Sequence, residues 1–234
     1  MSDAQHERLE AMSALGEPTR RAIYEYVASV GAWVSRDDAA DALDLERGAA
    51  AHHLDRLAED GLLEVDFQRR SGRSGPGAGR PAKVYRRSRR EFGVALPPRD
   101  YELAGRLLAE AVDRARTNNT DVAREVDAVA RAEGRRLADE VATRTRGVRA
   151  KSGRQRALLE TLEDRGYEPA TADDGTVVLR NCPFHQLAQQ HRDLICHMNL
   201  CYLKSAVDNV SDTGLDAVLD PQDEQCCVKL RASA

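Results

Sequence analysis

The sequence predicts a mainly α-helical chain with α+β parts, and three observations carry that expectation. Apolar residues recur at three and four positions through residues 39–57, 101–112 and 121–144, the period of a helix with one buried face. Residues 62–67 instead alternate apolar with charged, as a half-buried strand does. In the last third, Asp173-Asp174-Gly175 separates two strand-like runs, 167–172 and 176–180, a strong hairpin signal.

The first unit is centred on residues 35–57. Ser35 is suited to cap a short helix, Asp37 and Asp38 favour the positive end of its dipole, and Ala39, Ala40 and Leu43 supply a buried stripe. A second helix follows a tight turn, with Ala50, Leu54 and Leu57 inward and Arg47, Ala51, His52 and Arg56 outward. Gly61 ends it as a C′ residue. The strand 62–67 is expected to pair with 83–87, leaving residues 69–81, rich in Gly, Arg, Ser and Pro, as a loop without a core of its own. Ahead of this module, residues 5–30 form an interrupted helical base in which Pro18 opens a fresh helix. Trp33 is expected to pack the junction before Ser35. Two helices, a hairpin and a basic tip together describe a winged helix-turn-helix.

Charge segregation points the same way. From Arg69 to Arg90 there are nine Lys or Arg and no Asp or Glu; with those nine set aside from a formal net charge of -4, the other residues carry -13. A basic loop beside an exposed helix suits a groove flanked by phosphates. Arg69, Arg70, Arg73, Arg80, Lys83 and Arg86 join Arg47, Ala51, His52 and Arg56 as candidate contacts to a double-stranded DNA operator.

Residues 17–23 (Glu-Pro-Thr-Arg-Arg-Ala-Ile), the Ala-His-His-Leu run from Ala51 through Leu57, Gly61-Leu62-Leu63, and residues 79–85 (Gly-Arg-Pro-Ala-Lys-Val-Tyr) together resemble the winged helix of ArsR-type bacterial transcription regulators. The resemblance covers about the first 90 residues. It implies that the second helix enters the major groove while the wing touches the backbone or minor groove. The chain departs from the family at Glu46, Gly48 and Ala49, where small hydroxyl residues are common. Fewer base-edge hydrogen bonds there imply more reliance on Arg47, His52 and the wing.

At 234 residues, 41% hydrophobic and 32% charged, the chain has room for an ordered second part. We expect a division into residues 1–96, the winged helix; 97–150, a linking and dimerising helical region opened by Pro97 and Pro98; and 151–234, a small α+β sensor domain. The helix 121–144 carries a narrow strip of Val122, Val126, Val129, Ala132, Leu137 and Val141, which suits a partner helix in a homodimer, or packing within one chain. No apolar run has membrane-spanning length and the N-terminus lacks signal-peptide character, so a cytoplasmic protein without a membrane partner is expected.

All five cysteines lie between Cys182 and Cys227. In a reducing compartment such a cluster reads as ligands or redox thiols rather than structural disulfides. Soft thiolates suit zinc or an iron-sulfur cluster, although the paired Cys-x-x-Cys knuckles of a zinc ribbon are missing. Residues 181–185 (Asn-Cys-Pro-Phe-His), the Cys-x-Met-Asn-Leu of residues 196–200 and the terminal Cys-Cys-Val-Lys-Leu resemble the sensor half of SufR-like regulators, over about residues 155–231. That resemblance implies a repressor of iron-sulfur assembly operons holding a [4Fe-4S] cluster on three or four cysteines, here Cys182, Cys196 and one of Cys226 or Cys227. Helical spacing turns Cys201 away from Cys196, a buried core thiol, and strand alternation would turn one of Cys226 and Cys227 aside, leaving a fourth position for His185, His191, His197 or an external molecule. Control by zinc, by thiol oxidation or by a small apolar ligand are the alternatives. Cys182 with His185 could pair as nucleophile and base, but no phosphate loop, serine elbow or zinc-hydrolase motif accompanies them, so no enzyme is expected.

Overall fold

The computed structural model describes residues 3–68, 81–222 and 225–233. The chain divides into two compact units, Met1–Val94 and Ala95–Ala234. It is mainly α, with two small antiparallel sheets. Among the described residues no helix is long and apolar enough to cross a membrane.

The first unit opens with α1 (Asp3–Ala14) and α2 (Pro18–Val30). Glu17 caps α2, accepting from the Thr19 and Arg20 amides at 2.9 and 2.6 Å, and Pro18 takes the first turn, where its missing N–H costs nothing. β1 (Val34–Ser35) leads into α3 (Arg36–Leu43) through a capping box: the Ser35 hydroxyl accepts from the Asp38 amide and the Asp38 carboxylate from the Ser35 amide. α4 (Arg47–Glu59) buries Ala50, and packs Leu54 and Leu57 into one core with Ile23 and Val27. It ends in a Schellman turn, with Gly61 at φ 74° and the Leu62 amide donating to the Leu57 carbonyl at 2.9 Å. β2 (Leu63–Gln68) and β3 (Ala82–Arg87) pair antiparallel, and β1 adds to the other edge of β3. The strand alternation of residues 62–67 is only partly used. Leu62 and Leu63 are buried, whereas Val65 and Phe67 are exposed, Phe67 by 62%, because the helical core reaches only the near end of the ribbon. The expected wing-tip contacts Arg69, Arg70, Arg73 and Arg80 lie outside the described residues.

The second unit contains α5 (Tyr101–Asn118), α6 (Val122–Arg144), α7 (Lys151–Asp164), the hairpin β4 (Pro169–Thr171) and β5 (Val177–Leu179), α8 (His185–Gln190), α9 (Arg192–Asn209), β6 (Leu215–Leu219) and β7 (Val228–Ala232). Asp100 and Asp121 cap α5 and α6. The four strands run antiparallel in the order β4-β5-β7-β6. Residues 97–150, expected from sequence as a linking region, share one continuous core with the residues that follow: Leu107, Val129 and Leu137 lie in the same buried cluster as Leu158, Leu203 and Leu230.

This core revises the reading of the α6 strip. Val126, Val129, Leu137 and Val141 are buried within the chain, chiefly beside α9, while Val122 at the helix start stays exposed. The strip was narrow because charged side chains flank a groove filled by α9 of the same chain, so it is not available to a second copy. Gly134 makes the close approach possible. A Cβ there would meet the Tyr202 carbonyl oxygen, the Ser205 Cβ at 2.8 Å and the Ala206 nitrogen at 2.9 Å. Beside it, the carboxylate of buried Glu133 accepts from Arg106 at 3.0 Å and from Arg136 at 2.9 Å.

Two outcomes follow from this core. Gly134→Ala forces α6 away from α9 and lowers stability by about 2 kcal/mol or more, read as a reduced urea midpoint. Burial pushes the Glu133 carboxyl pKa up, but the hydrogen bonds from Arg106 and Arg136 outweigh it and leave it below the ordinary glutamate value. The pair therefore stabilises fully above the unfolded-state pKa, and its contribution is lost as pH falls through the lower folded value. Glu133→Gln should cost about 1–2 kcal/mol at neutral pH and flatten the acid limb of the stability profile.

Candidate functional site

The outward face of α4 is built from small and cationic residues. Arg47, Gly48, Ala49, His52 and Arg56 are exposed, and Ala51 is half-buried. No side chain caps the first turn of this helix among the described residues, so its amides remain available to an anion at the positive end of the helix dipole. Gly48 and Ala49 add little bulk to that turn, and nothing lies within 4 Å of where a Cβ at Gly48 would stand.

Several expected contact residues already hold internal partners. Arg47 binds Asp37 at 2.5 Å, Arg56 binds Asp60 at 3.2 Å and Glu59 at 3.6 Å, and Lys83 binds Asp55. Arg86 binds Glu64 at 2.7 Å and lies over the Trp33 ring, 4.6 Å from its centroid, which accounts for Trp33 as the platform for the base of the ribbon. Asp55, not singled out by sequence, ties α4 to β3: its carboxylate accepts from Lys83 and, at 2.6 Å, from the Tyr85 hydroxyl. Burial pushes its pKa up, yet these two donors outweigh it and hold the carboxyl below its ordinary value. Exposed pairs exchange readily because they contribute little. Arg47 and Asp37 form such an exposed pair, whereas Arg56 is paired with the nearly buried Asp60 and Arg86 with Glu64 on the ribbon.

The second unit collects four thiols. Asn181 fixes the loop after β5 by donating to the Pro98 and Gly166 carbonyls at 2.9 and 2.5 Å and accepting from Arg99, which places Cys182. Cys196 stands on the first turns of α9. Cys226 and Cys227 precede β7, whose ladder begins only at Val228, so strand alternation does not separate them. The Cys226 amide donates to the Leu179 carbonyl at 2.9 Å, and its thiol meets that of Cys182. The Cys227 sulfur lies 2.9 Å from that of Cys196. All four are buried. Asn199, one turn after Cys196, donates to the Cys226 sulfur at 3.2 Å and accepts from the buried Tyr167 hydroxyl at 2.6 Å. In the sequence it stands only as the Asn of the Cys-x-Met-Asn-Leu run, with no role assigned to it.

The thiols are not equivalent. Cys182 receives hydrogen bonds from the Cys226 thiol and the Phe184 amide, and these outweigh burial to lower its pKa, with Arg99 assisting. Burial and the neighbouring Cys227 push the Cys196 thiol up to about 12. A cavity of about 410 Å³ borders Cys182 and Cys227 and is lined by His185, Gln189 and Arg192. His185 thus stands near the thiols. His197 does not: it faces α6 and binds Asp127 at 3.1 Å. Cys201 lies beside that pair, 3.8 Å from the His197 ring.

A family model described as a helix-turn-helix domain matches residues 15–66, from the turn before α2 into β2. No curated protein and no solved structure matches the chain. With the β2–β3 ribbon following the matched helices, the first unit carries a winged helix-turn-helix domain, which supports a DNA-binding transcription regulator.

Cys182 should be the first of the five thiols alkylated in the reduced protein at neutral pH, because the thiolate is the attacking species and this one borders a cavity. Mass-spectrometric mapping after brief iodoacetamide treatment checks it; earlier labelling of Cys196 would contradict the assignment.

Proposed function

We propose that this regulator is a repressor of the ArsR type whose second unit, residues 95–234 acting as one body, senses iron-sulfur or redox status through Cys182, Cys196, Cys226 and Cys227. The observation that carries the reading is the convergence of four buried thiols from a loop, a helix and the approach to a strand. Buried thiols gathered without a ligand lose hydration and gain little, whereas soft sulfur donors suit iron or zinc. By donor chemistry these residues would hold a [4Fe-4S] cluster as its cysteine ligands, with the Cys196 and Cys227 sulfurs parting from their 2.9 Å contact and Asn199 donating to the Cys226 sulfur. Such a cluster would supply a reactive, iron-dependent and oxidant-sensitive group. The chain's part is to hold four thiolates, exclude bulk water on the α9 side and admit small molecules through the cavity beside His185 and Arg192.

Binding a cation here releases protons from the thiols, at a cost at Cys196, whose thiol burial pushes up, and at Cys226, pushed up by its hydrogen bond to Cys182 and by burial, so loading weakens as pH falls. A liganded centre ties the 180–184 loop, α9 and the approach to β7 together. Regulation requires only that this tied form and the free form differ in affinity for DNA. On the DNA side, His52 and the first turn of α4 contact the major groove, and Arg47, Arg56, Lys83 and the wing arginines Arg69, Arg70, Arg73 and Arg80 bind phosphates. Two chains pair to read two half-sites, through a surface other than the α6 strip, in the cytoplasm.

The short Cys196–Cys227 contact favours thiol oxidation as a second reading, in which those two sulfurs form a disulfide while an oxidant takes two electrons and two protons. Anaerobic purification of wild type and Cys182→Ala, with iron, sulfide and zinc assays and visible absorption, separates the readings. We expect iron with sulfide in wild type and its loss in the variant. Zinc alone would indicate a zinc-controlled site. Metal-free protein under strict anaerobiosis would overturn the cluster and leave thiol oxidation. For the DNA face, His52→Ala should cost about 1–3 kcal/mol of sequence discrimination while leaving the salt dependence of binding nearly unchanged, measured by anisotropy on selected and random duplexes.

A further inference from the structure

A second donor set lies on the α6 side of α9. Asp127, His197 and Cys201 each offer one ligand atom, and the three atoms lie within 4.8 Å of one another. His197 and Cys201 are one turn apart, so both reach the same side of α9, and Asp127 meets them from α6. The His197 Nε2 is 3.1 Å from Asp127 Oδ1 and 3.8 Å from the Cys201 sulfur. Tetrahedral zinc, with bonds of about 2.0–2.1 Å to nitrogen or oxygen and 2.3 Å to sulfur, separates its ligands by roughly 3.3–3.6 Å along the edges. The two edges that meet at His197 therefore stand within a few tenths of an ångström of those a metal needs, and the third, from Asp127 to Cys201, is at most 4.8 Å. A cavity of about 240 Å³ borders the Asp127 and His197 members of this group and is lined also by Asp193. It leaves room for a fourth ligand, either water or the Asp193 carboxylate from the preceding turn of α9. Such a site would be reached from solvent, since His197 is exposed while Cys201 is buried at its floor.

We propose that Asp127, His197 and Cys201 form a binding site for a borderline-soft divalent cation, zinc by donor chemistry, separate from the four-thiol centre. Nitrogen, sulfur and carboxylate donors with one open corner are the composition of an exchangeable zinc site rather than a closed structural one. Arg131 is its built-in competitor. In the metal-free chain the guanidinium donates to the Asp127 carboxylate at 3.2 Å and to the Cys201 sulfur at 3.5 Å, and it is half exposed, so it can swing into solvent when a cation takes those donors. Binding would clamp α6 to α9.

The test uses the full-length, reduced, metal-free chain titrated with cobalt(II), whose absorption reports sulfur ligation and tetrahedral geometry. Wild type should show a one-thiolate component that persists in Cys182→Ala and is lost in His197→Gln, an exposed position where folding is expected to survive and where a thermal melt of the metal-free variant checks that it has. Arg131→Ala should bind cobalt at this site roughly tenfold more tightly, because a cation close to the incoming ion is removed. That component would remain even if the four-thiol centre proved to bind no metal, so the two readings fail separately. A titration unchanged by His197→Gln, or one abolished entirely by Cys182→Ala, would overturn the proposal.

Discussion

The close approach of α6 and α9 at Gly134 is the constraint on which the second unit depends. A side chain at that position would strike the backbone of α9, so one missing methyl group sets the distance between the two longest buried surfaces of the unit. Both donor sets then follow from the register of α9. One side presents Cys196 and Asn199 to the loop after β5 and to the residues before β7; another presents His197 and Cys201 to Asp127 on α6. A shift of α9 along α6 would disturb both at once. A ligand bound at either set would therefore be linked to the packing of α9 against α6.

The first unit solves a different problem. Its core is small, and its stability rests on local devices: the Glu17 cap, the Ser35–Asp38 capping box, the Schellman turn at Gly61 and the Asp55 bridge from α4 to β3. Each holds a helix end or a strand rather than filling a cavity. The exposed face of α4 is kept thin by Gly48 and Ala49, while the arginines around it are held by carboxylates. If these arginines meet DNA as proposed, binding would exchange internal carboxylates for phosphates, with the polyanion favoured by its charge density.

Most of the helix order was legible because its signals are local. Pro18, Ser35, Asp100, Asp121 and Gly61 act on their own turns, and the Asp-Asp-Gly hairpin needs no distant partner. What escaped depends on tertiary placement. A narrow apolar strip has the same appearance whether its partner helix lies in the same chain or another, and only the fold shows that α9 fills the strip on α6. The two-residue β1 is too short to leave a periodic trace. Cys226 and Cys227 lie just ahead of β7, where the alternation of a strand does not yet hold. Asp55, Asn199 and the Asp127–His197–Cys201 group draw on residues far apart in sequence, and spacing along one helix discloses at most two members of such a set.

The measurement that bears most directly on the account is the DNA affinity of one anaerobic preparation in two states, as purified and after chelation of its metal under reducing conditions. The duplex would be one selected by the protein itself from a random pool. A change in affinity in wild type, absent when Cys182 is replaced by alanine, is the predicted result: the second unit then governs the first through the four thiols. Equal affinity in both states, from a wild-type preparation shown to carry metal before chelation and none after, would contradict it.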